Sequence, residues 1–243
     1  MARFDNAGDI INRAALEIGL VPVSDPVGST DEAFIQLTGL LTSAGQEMVE
    51  LHPWQVLTSV FEFTTTDLDT GSYDLPDDYS YMIDQTGWDR SNDLPVAGPL
   101  SAQDWTYLEG RDLVSSTIYA SFRELDGKMN LFPQPPPVGL RVTFEYMGRN
   151  WLREQGASDA FRDTVGSGDD IILFEPILMV KFLKLKFLSA KGFDATTAAL
   201  EFDNIFQGRI GKNTGAPILS ASNTGGYPYL NSYRNLPDTN YGR

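Results

Sequence analysis

Hydrophobic residues recur three and four positions apart in two stretches near the start of the chain. This spacing predicts a first helix over about residues 6–18 and a second, longer helix that Pro53 terminates. Gly19 follows the first stretch, where a left-handed C-terminal cap is expected. Ser29 and Glu32 predict a capping box at the start of the second helix. The chain is therefore expected to open with two amphipathic helices.

After residue 54 the hydrophobic period changes from helical spacing to two, which predicts strands. The pair Asp126-Gly127 lies between alternating residues and predicts a hairpin with a type I′ turn. Alternation over 140–146 predicts a half-buried strand, and 101–110 fits either a short helix or a loop. The polar, glycine-rich stretch at 152–168 is predicted to be a long loop. This middle region is expected to be an antiparallel β domain, either sandwich-like or barrel-like.

The helical period returns after Asp169. Asp169, Asp170 and Glu175 are placed at the N-terminal end of a third helix, and Asp194 is predicted to cap a fourth helix that runs to about Arg209. No hydrophobic period is visible after residue 210.

These elements predict an α+β fold with a discontinuous helical domain. Residues 1–53 and 169–210 are expected to form a four-helix bundle, and 54–168 an inserted antiparallel β domain. Residues 211–243 are expected to form an extended C-terminal arm.

Composition narrows the possible functions. The chain has 33 acidic and 18 basic residues, a net charge of −15, which argues against a free-standing nucleic-acid-binding protein. It has no cysteine and one histidine, which excludes thiolate metal sites, His-rich zinc sites and most histidine-based triads. No nucleotide-binding or hydrolase motif is present. We therefore expect no enzymatic activity, no catalytic residue, no metal and no cofactor. No signal peptide or membrane span is visible, so assembly in the cytoplasm is expected.

Two short motifs could carry chemistry. His52 lies at the end of the second helix and is interpreted as meeting the last helix carbonyls rather than as a catalytic base. Asp67, Asp69 and Gly71 match the beginning of a calcium loop only in part, and an acidic turn is the favoured interpretation.

Two larger sets of charged residues allow alternatives. The middle region combines carboxylates with aromatic residues, as a glycan-binding or peptidoglycan-cleaving protein would, although outward acidic strand faces are favoured. These residues are Asp77, Asp78, Asp84, Asp89, Asp93, Tyr79, Tyr81 and Trp88. The third helix carries four lysines that could bind phosphate, but a solvated stripe is favoured. They are Lys181, Lys184, Lys186 and Lys191.

The C-terminal arm is rich in tyrosine and carries scattered aliphatic residues, which suits an extended segment that docks on another protein. The residues expected to make its contacts are Ile218, Leu219, Tyr227, Tyr229, Leu230, Tyr233, Arg234, Leu236 and Tyr241.

Several motifs together resemble a known family. They are DIINRAALEIGLVPVSD (9–25), LHPWQ (51–55), YDLPDDYSYMI (73–83), KMNLFPQPP (128–136) and TFEYMGR (143–149). In this order, and with the closing pair of helices, they resemble the head-to-tail adaptor proteins of short-tailed bacteriophages, also called tail tubular protein A, gatekeeper or head-completion proteins. The resemblance covers about residues 5–210.

The resemblance implies a helical bundle with an inserted β domain. It implies a dodecameric ring in the virion, at the head–tail junction, between a portal protein and a tail nozzle protein. It implies that the C-terminal arm reaches into the portal and that most members have no enzymatic activity, although a peptidoglycan-cleaving role has been proposed for some. An acidic ring would repel duplex DNA, so phage DNA is expected to pass through without specific binding.

Overall fold

A computed structural model describes residues 4–68, 70–110, 121–156 and 160–213. The fold is α+β, as predicted, and the paired strands of its sheets are antiparallel. The helices are α1 (Ala7–Glu17), α2 (Glu32–Leu51), α3 (Ala102–Gly110), α4 (Pro176–Ala190) and α5 (Thr196–Asn213). A short 3₁₀ turn, Gln55–Leu57, leads from α2 into the first strand. The stretch at 101–110 that fitted helix or loop is thus mostly helix.

Side-chain and backbone caps define the ends of the first two helices. The Asn6 side chain accepts a hydrogen bond from the Asp9 amide at 2.7 Å at the start of α1. Gly19 follows α1 with φ +84°, which confirms the predicted left-handed residue. The predicted capping box at the start of α2 is wrong. Asp31 caps this helix by accepting from the Ala33 amide at 2.9 Å, and Ser29 instead accepts from the Asp31 amide.

Helix α4 lies at the centre of the helical part and packs against α1, α2 and α5. Its side chains at Leu178, Met179 and Leu183 are fully buried. Around them lies the helical core, a continuous hydrophobic cluster that draws side chains from α1, α2 and α5 and from the segments that flank the strands. Pro176 occupies the first turn, where a missing amide hydrogen costs no helix hydrogen bond.

The boundaries predicted for the C-terminal helices need correction. Asp169 and Asp170 precede α4 rather than belonging to it, and the buried Asp170 accepts hydrogen bonds from the Gly166 and Ser167 amides. Glu175 is the N-cap of α4, which confirms its predicted place at the helix start. Asp194 accepts from the Thr196 amide at 3.0 Å, which confirms the predicted cap of α5. That helix continues to Asn213, so the first three residues of the predicted arm are helical. The remaining residues of the arm lie outside the described part.

Eleven strands lie within the described residues: β1 (Thr58–Thr64), β2 (Ser72–Asp74), β3 (Tyr79–Met82), β4 (Trp88–Asp89), β5 (Leu94–Pro95), β6 (Ser121–Leu125), β7 (Lys128–Phe132), β8 (Arg141–Gly148), β9 (Leu152–Arg153), β10 (Phe161–Arg162) and β11 (Ile171–Ile172). β8 is the centre of a five-stranded sheet and pairs with β1 along one side and with β3 and β4 along the other. β2, β7 and β6 form a second sheet, and β10, β9 and β11 a third.

The β6–β7 hairpin confirms the turn predicted from the sequence. Asp126 and Gly127 both have positive φ, at 56° and 69°, as a type I′ turn requires. Phe122 and Leu131 of this hairpin meet Phe144 of the large sheet in the sheet core, a second hydrophobic cluster to which both sheets contribute. Val142, Phe144 and Tyr146 of β8 are buried as predicted, but Thr143 and Met147 on the other face are buried too, so the strand is not half-buried along its whole length.

The stretch predicted as a long polar loop, 152–168, contains β9 and β10 and is anchored in the helical core. Trp151, which precedes it, is fully buried, and its Nε1 donates to the Asp163 carbonyl at 2.9 Å. The indole packs so closely on α2 that a Cβ built at Gly45 would lie 2.1 Å from it. One buried tryptophan therefore ties the segment down, which its polar composition does not reveal.

Candidate interaction surfaces

The outward face of the five-stranded sheet carries an open groove. Strand alternation places Phe61 and Phe144 in the sheet core, while Val60 and its cross-strand partner Glu145 point to the opposite side. Val60 is 68% exposed and Tyr81 is 42% exposed, so this sheet face carries uncovered apolar surface. We call this surface the outer sheet groove; it is lined by Pro53, Gln55, Thr58, Val60, Tyr81, Met82, Ile83, Asp84, Glu145 and Met147.

The end of α5 is fixed beside this groove. Asn213 Nδ2 donates to the Pro53 carbonyl at 3.3 Å and lies 3.0 Å from His52 Nε2. Pro53 belongs to the groove wall, whereas its neighbour Trp54 turns inward and donates from Nε1 to the Met48 carbonyl at 2.7 Å. The last described residue of the helix therefore stands at the edge of the outer sheet groove.

His52 lies at the C-terminal cap of α2, as its sequence position predicts. Its Nε2 faces Asn213 instead of the helix carbonyls, and its ring meets the Trp54 ring edge-on at 5.0 Å. Burial lowers the pKa of His52 below its ordinary value of 6.5. The neutral imidazole can accept the Asn213 hydrogen bond, so this histidine joins α2 to α5.

Of the four lysines predicted on the third helix, the three that lie on α4 form ion pairs between helices, and Lys191 is the C-cap that follows it, so neither predicted role describes the three. Lys181 Nζ lies 2.8 Å from Glu17 of α1 and 3.2 Å from Glu201 of α5, and Lys184 bridges the same two carboxylates. Lys186 pairs with Glu47 of α2. The hydrogen bond with Glu17 raises the pKa of Lys181, and those from Lys184 and Lys181 lower the pKa of Glu201.

The fourth lysine makes a different contact. Lys191 Nζ lies 5.5 Å from the Phe187 ring centroid, within cation–π range. The α4 lysines are thus used by neighbouring side chains, which leaves the proposed phosphate site without support.

The carboxylates singled out for glycan chemistry have separate local roles or lie apart at the surface. Asp89 is buried and accepts hydrogen bonds from the Ser91 amide and from Asn92 Nδ2, at 2.8 and 2.7 Å. Asp78 Oδ1 accepts from the Tyr146 hydroxyl at 2.9 Å. The other three, Asp77, Asp84 and Asp93, are exposed, and of these Asp84 lines the outer sheet groove. Asp89 therefore contradicts the expectation of outward acidic faces.

Two tyrosines from the β region hold its parts together. The Tyr79 hydroxyl donates to the Glu124 carboxylate and so links β3 of the large sheet to β6 of the small one. Burial and this hydrogen bond raise the pKa of Tyr79. Burial, and to a smaller extent the hydrogen bond to Asp78, raises the pKa of Tyr146 to about 12. Both phenols are thus neutral, structural groups at neutral pH.

The partial calcium motif is only partly described. Asp67 is exposed, Asp69 lies outside the described residues, and Gly71 has φ +94° with its carbonyl accepting from the Leu131 amide at 2.7 Å. The described ranges contain no cluster of three or more side chains able to hold a metal ion. Within the same ranges, every helix is too short or too polar to cross a membrane.

The described structure presents a protein with two cores and an open sheet face, the build of a structural binding component. Residues 5–222 match the SU10 adaptor protein family, and the chain belongs to this family of phage head-to-tail adaptors. The protein is therefore a virion component of the head–tail junction that binds other head and tail proteins. Comparison with curated proteins gives no match.

The family match covers only the first part of the predicted arm. It continues beyond Asn213 to residue 222 and so includes Ile218 and Leu219. The other seven predicted contact residues lie past its end, and all nine lie outside the described residues.

Proposed function

We propose that the protein is a ring-forming adaptor that joins the phage portal protein to a tail nozzle protein. The observation that carries this proposal is the family match, which spans both hydrophobic cores rather than one motif. The separate structural roles of Asp78 and Asp89 agree with a structural protein. The glycan-cleaving alternative gains no supporting contact from the described residues.

The ring, proposed to be a dodecamer, requires each copy to present two different complementary surfaces. Large apolar side chains are exposed on the helical side at Leu16, Phe193 and Leu200, and the outer sheet groove exposes Val60 and Tyr81. We propose that 1–53 and 169–210 act as the helical unit of each subunit and 54–168 as its β unit. Assembly in the host cytoplasm belongs to the same proposal.

The channel of such a ring would be lined by an acidic protein. With a net charge of −15, the subunits would repel the DNA phosphates and let the duplex pass without specific binding. A basic lining would hold the DNA by releasing its counterions, which would oppose ejection.

The C-terminal arm is proposed to be the portal anchor. Its aliphatic and tyrosine side chains gain most when a partner covers them, and its prolines reduce the entropy lost on ordering. Tyr227 and Tyr229 flank Pro228, and Leu236 precedes Pro237, so rigid and apolar positions alternate there.

The direct test mixes the purified protein with its portal and measures the complex by native mass spectrometry and cryo-electron microscopy. We expect a closed ring of defined stoichiometry on the portal. A variant that ends at Asn213 should keep its helix content but fail to attach. A protein that stays monomeric with its portal present would overturn the ring, and unchanged attachment of the truncated variant would place the anchor elsewhere.

A further inference from the structure

We propose that residues 215–219, the first apolar segment after α5, bind in the outer sheet groove of the same chain. The position of the end of α5 is the first argument. Asn213 is held against the Pro53 carbonyl, and the Pro53 side chain forms one wall of the groove. The chain therefore leaves its last helix at the edge of an open apolar surface.

The distance that the chain can span is the second argument. Ile218 lies five positions after Asn213, and five residues of extended chain span up to roughly 17 Å. Gly215 and Pro217 oppose continuation of the helix, and a proline favours an extended conformation in the residue before it. In an extended segment successive side chains point to opposite sides, so Ile218 can enter the groove soon after the helix ends while Leu219 points away from it.

The chemistry of groove and segment is the third argument. Val60, Tyr81 and Ile83 offer apolar surface, whereas the charges of the groove are the carboxylates of Asp84 and Glu145. The sequence from 213 to 233 contains no charged residue, so the segment brings no like charge to these carboxylates and removes no salt bridge. Val60 and Ile83 flank Glu145 of the central strand β8, so Ile218 would pack on these two apolar side chains while the Glu145 carboxylate keeps access to water at the open mouth of the groove.

The extent of the family match is the fourth argument. It includes the groove residues and ends at residue 222, shortly after the proposed docking segment. A segment that belongs to the family pattern suits a binding site supplied by the same fold. The proposed contact describes the protein before it meets the portal: the distal tyrosines, which lie beyond the match, would make the first portal contacts, and the 215–219 segment would leave the groove if Ile218 and Leu219 also bind the portal.

Disulfide trapping tests the contact in the full chain, which has no native cysteine to interfere. The test variant carries Val60→Cys with Ile218→Cys. The matched control carries Leu51→Cys with Ile218→Cys, because Leu51 is 49% exposed and lies two residues from Pro53 but does not line the groove. Under mild oxidation we expect the Val60 pair to form a disulfide within one chain at least tenfold faster than the Leu51 pair.

A mixture of isotope-labelled and unlabelled chains identifies which chains are joined. Equal rates for the two pairs would overturn the proposal, and so would disulfides formed mainly between chains, which would make a second copy the occupant. A second measurement needs no cysteine: removing residues 214–243 should shift the methyl resonances of Val60 and Ile83 but leave those of Leu200 unchanged. Unchanged Val60 and Ile83 signals would also overturn the proposal. Both measurements are made without the portal protein, so their outcome does not depend on the result of the attachment assay.

Discussion

The helical core and the β region cover their apolar surfaces to different extents. In the helical part, α4 is buried among three other helices, and its lysines at the margin pair with Glu17 and Glu201 of two neighbours. In the β region, the five-stranded sheet is covered on one face by the small sheet but leaves Val60 and Tyr81 exposed on the other. The helices therefore bury most apolar side chains of α4 at the centre of their core, whereas the large sheet has one face covered by the small sheet and side chains left uncovered on the other.

The largest effect is expected from a substitution that destabilises the sheet core and leaves the helical core folded. Phe122 is almost completely buried in the sheet core, lies on the small sheet and does not belong to the helical core. Phe122→Ala should cost about 3–5 kcal/mol of stability. Thermal unfolding followed by circular dichroism should show an early β transition with the helical signal largely retained.

The conservative Phe122→Leu is the control and should cost less than about 1.5 kcal/mol. If Phe122→Ala instead shifts the helical and β transitions together, the two cores unfold as one cooperative unit and do not differ in stability.

The next effect tests the close contact between α2 and the segment after β8. A Cβ at Gly45 would lie 2.1 Å from the Trp151 indole, whose rigid ring also stacks on Phe174. Gly45→Ala should destabilise the protein by about 2–3 kcal/mol, since overpacking exceeds the gain in helix propensity.

Gly39 supplies the matched control because it lies on the same helix and the position that its Cβ would occupy has no contact within 4 Å. Gly39→Ala should raise stability by up to about 1 kcal/mol. Chemical denaturation of both variants measures the difference, and similar midpoints would contradict the close packing of Trp151.

A smaller effect concerns the charges that join the helices. Glu201→Gln removes the carboxylate shared by Lys181 and Lys184 and should lower the melting temperature at low ionic strength. The loss should shrink in high salt because partly exposed ion pairs are screened. Asp203→Asn, on the same helix, makes the same change of charge without these partners and should have little effect. Equal, salt-independent losses in the two variants would argue against the network.

The smallest expected effect is the titration of His52. Because burial lowers its pKa, the folded protein binds this proton less readily than the unfolded chain. The associated stability is present above pH 6.5 and is lost as the pH falls through the lowered folded-state pKa. As the chain has one histidine, nuclear magnetic resonance can follow its imidazole signal directly.

We expect a titration midpoint below 6.5, and His52→Gln should remove this part of the pH dependence. Most carboxylates titrate at lower pH, so the two contributions can be separated. A midpoint at or above 6.5 would show that His52 is solvated and does not accept the Asn213 hydrogen bond in its neutral form.

Local sequence signals predicted the elements whose causes are local. The Asp126-Gly127 turn follows from the positive φ angles that a two-residue hairpin needs, and the α1 end follows from Gly19. The cap of α2 shows the limit even there, since Ser29 and Asp31 are both able to cap and tertiary geometry selects Asp31. Helix and strand periodicity thus indicates the type and order of the secondary-structure elements better than it indicates their first and last residues.

The contacts that form the outer sheet groove and the lysine ion pairs join residues that are distant in sequence, so local sequence patterns do not predict them. The outer sheet groove combines Pro53, Val60, Tyr81 and Glu145, which only the register of β1, β3 and β8 brings together. One signal was present in the sequence, since Val60 is apolar at an outward position of an alternating strand. The pairing of the α4 lysines likewise depends on how four helices pack, so the sequence alone could not exclude a phosphate site.

The central position of α4 also governs the order in which the chain can fold during translation. Helices α1 and α2 leave the ribosome first, but their apolar faces pack against a helix that ends at Ala190. At about 5–20 residues per second, the interval between the end of α2 and the end of α4 is roughly 7–28 s. During that time the apolar faces of α1 and α2 lack the α4 side chains that cover them in the folded protein.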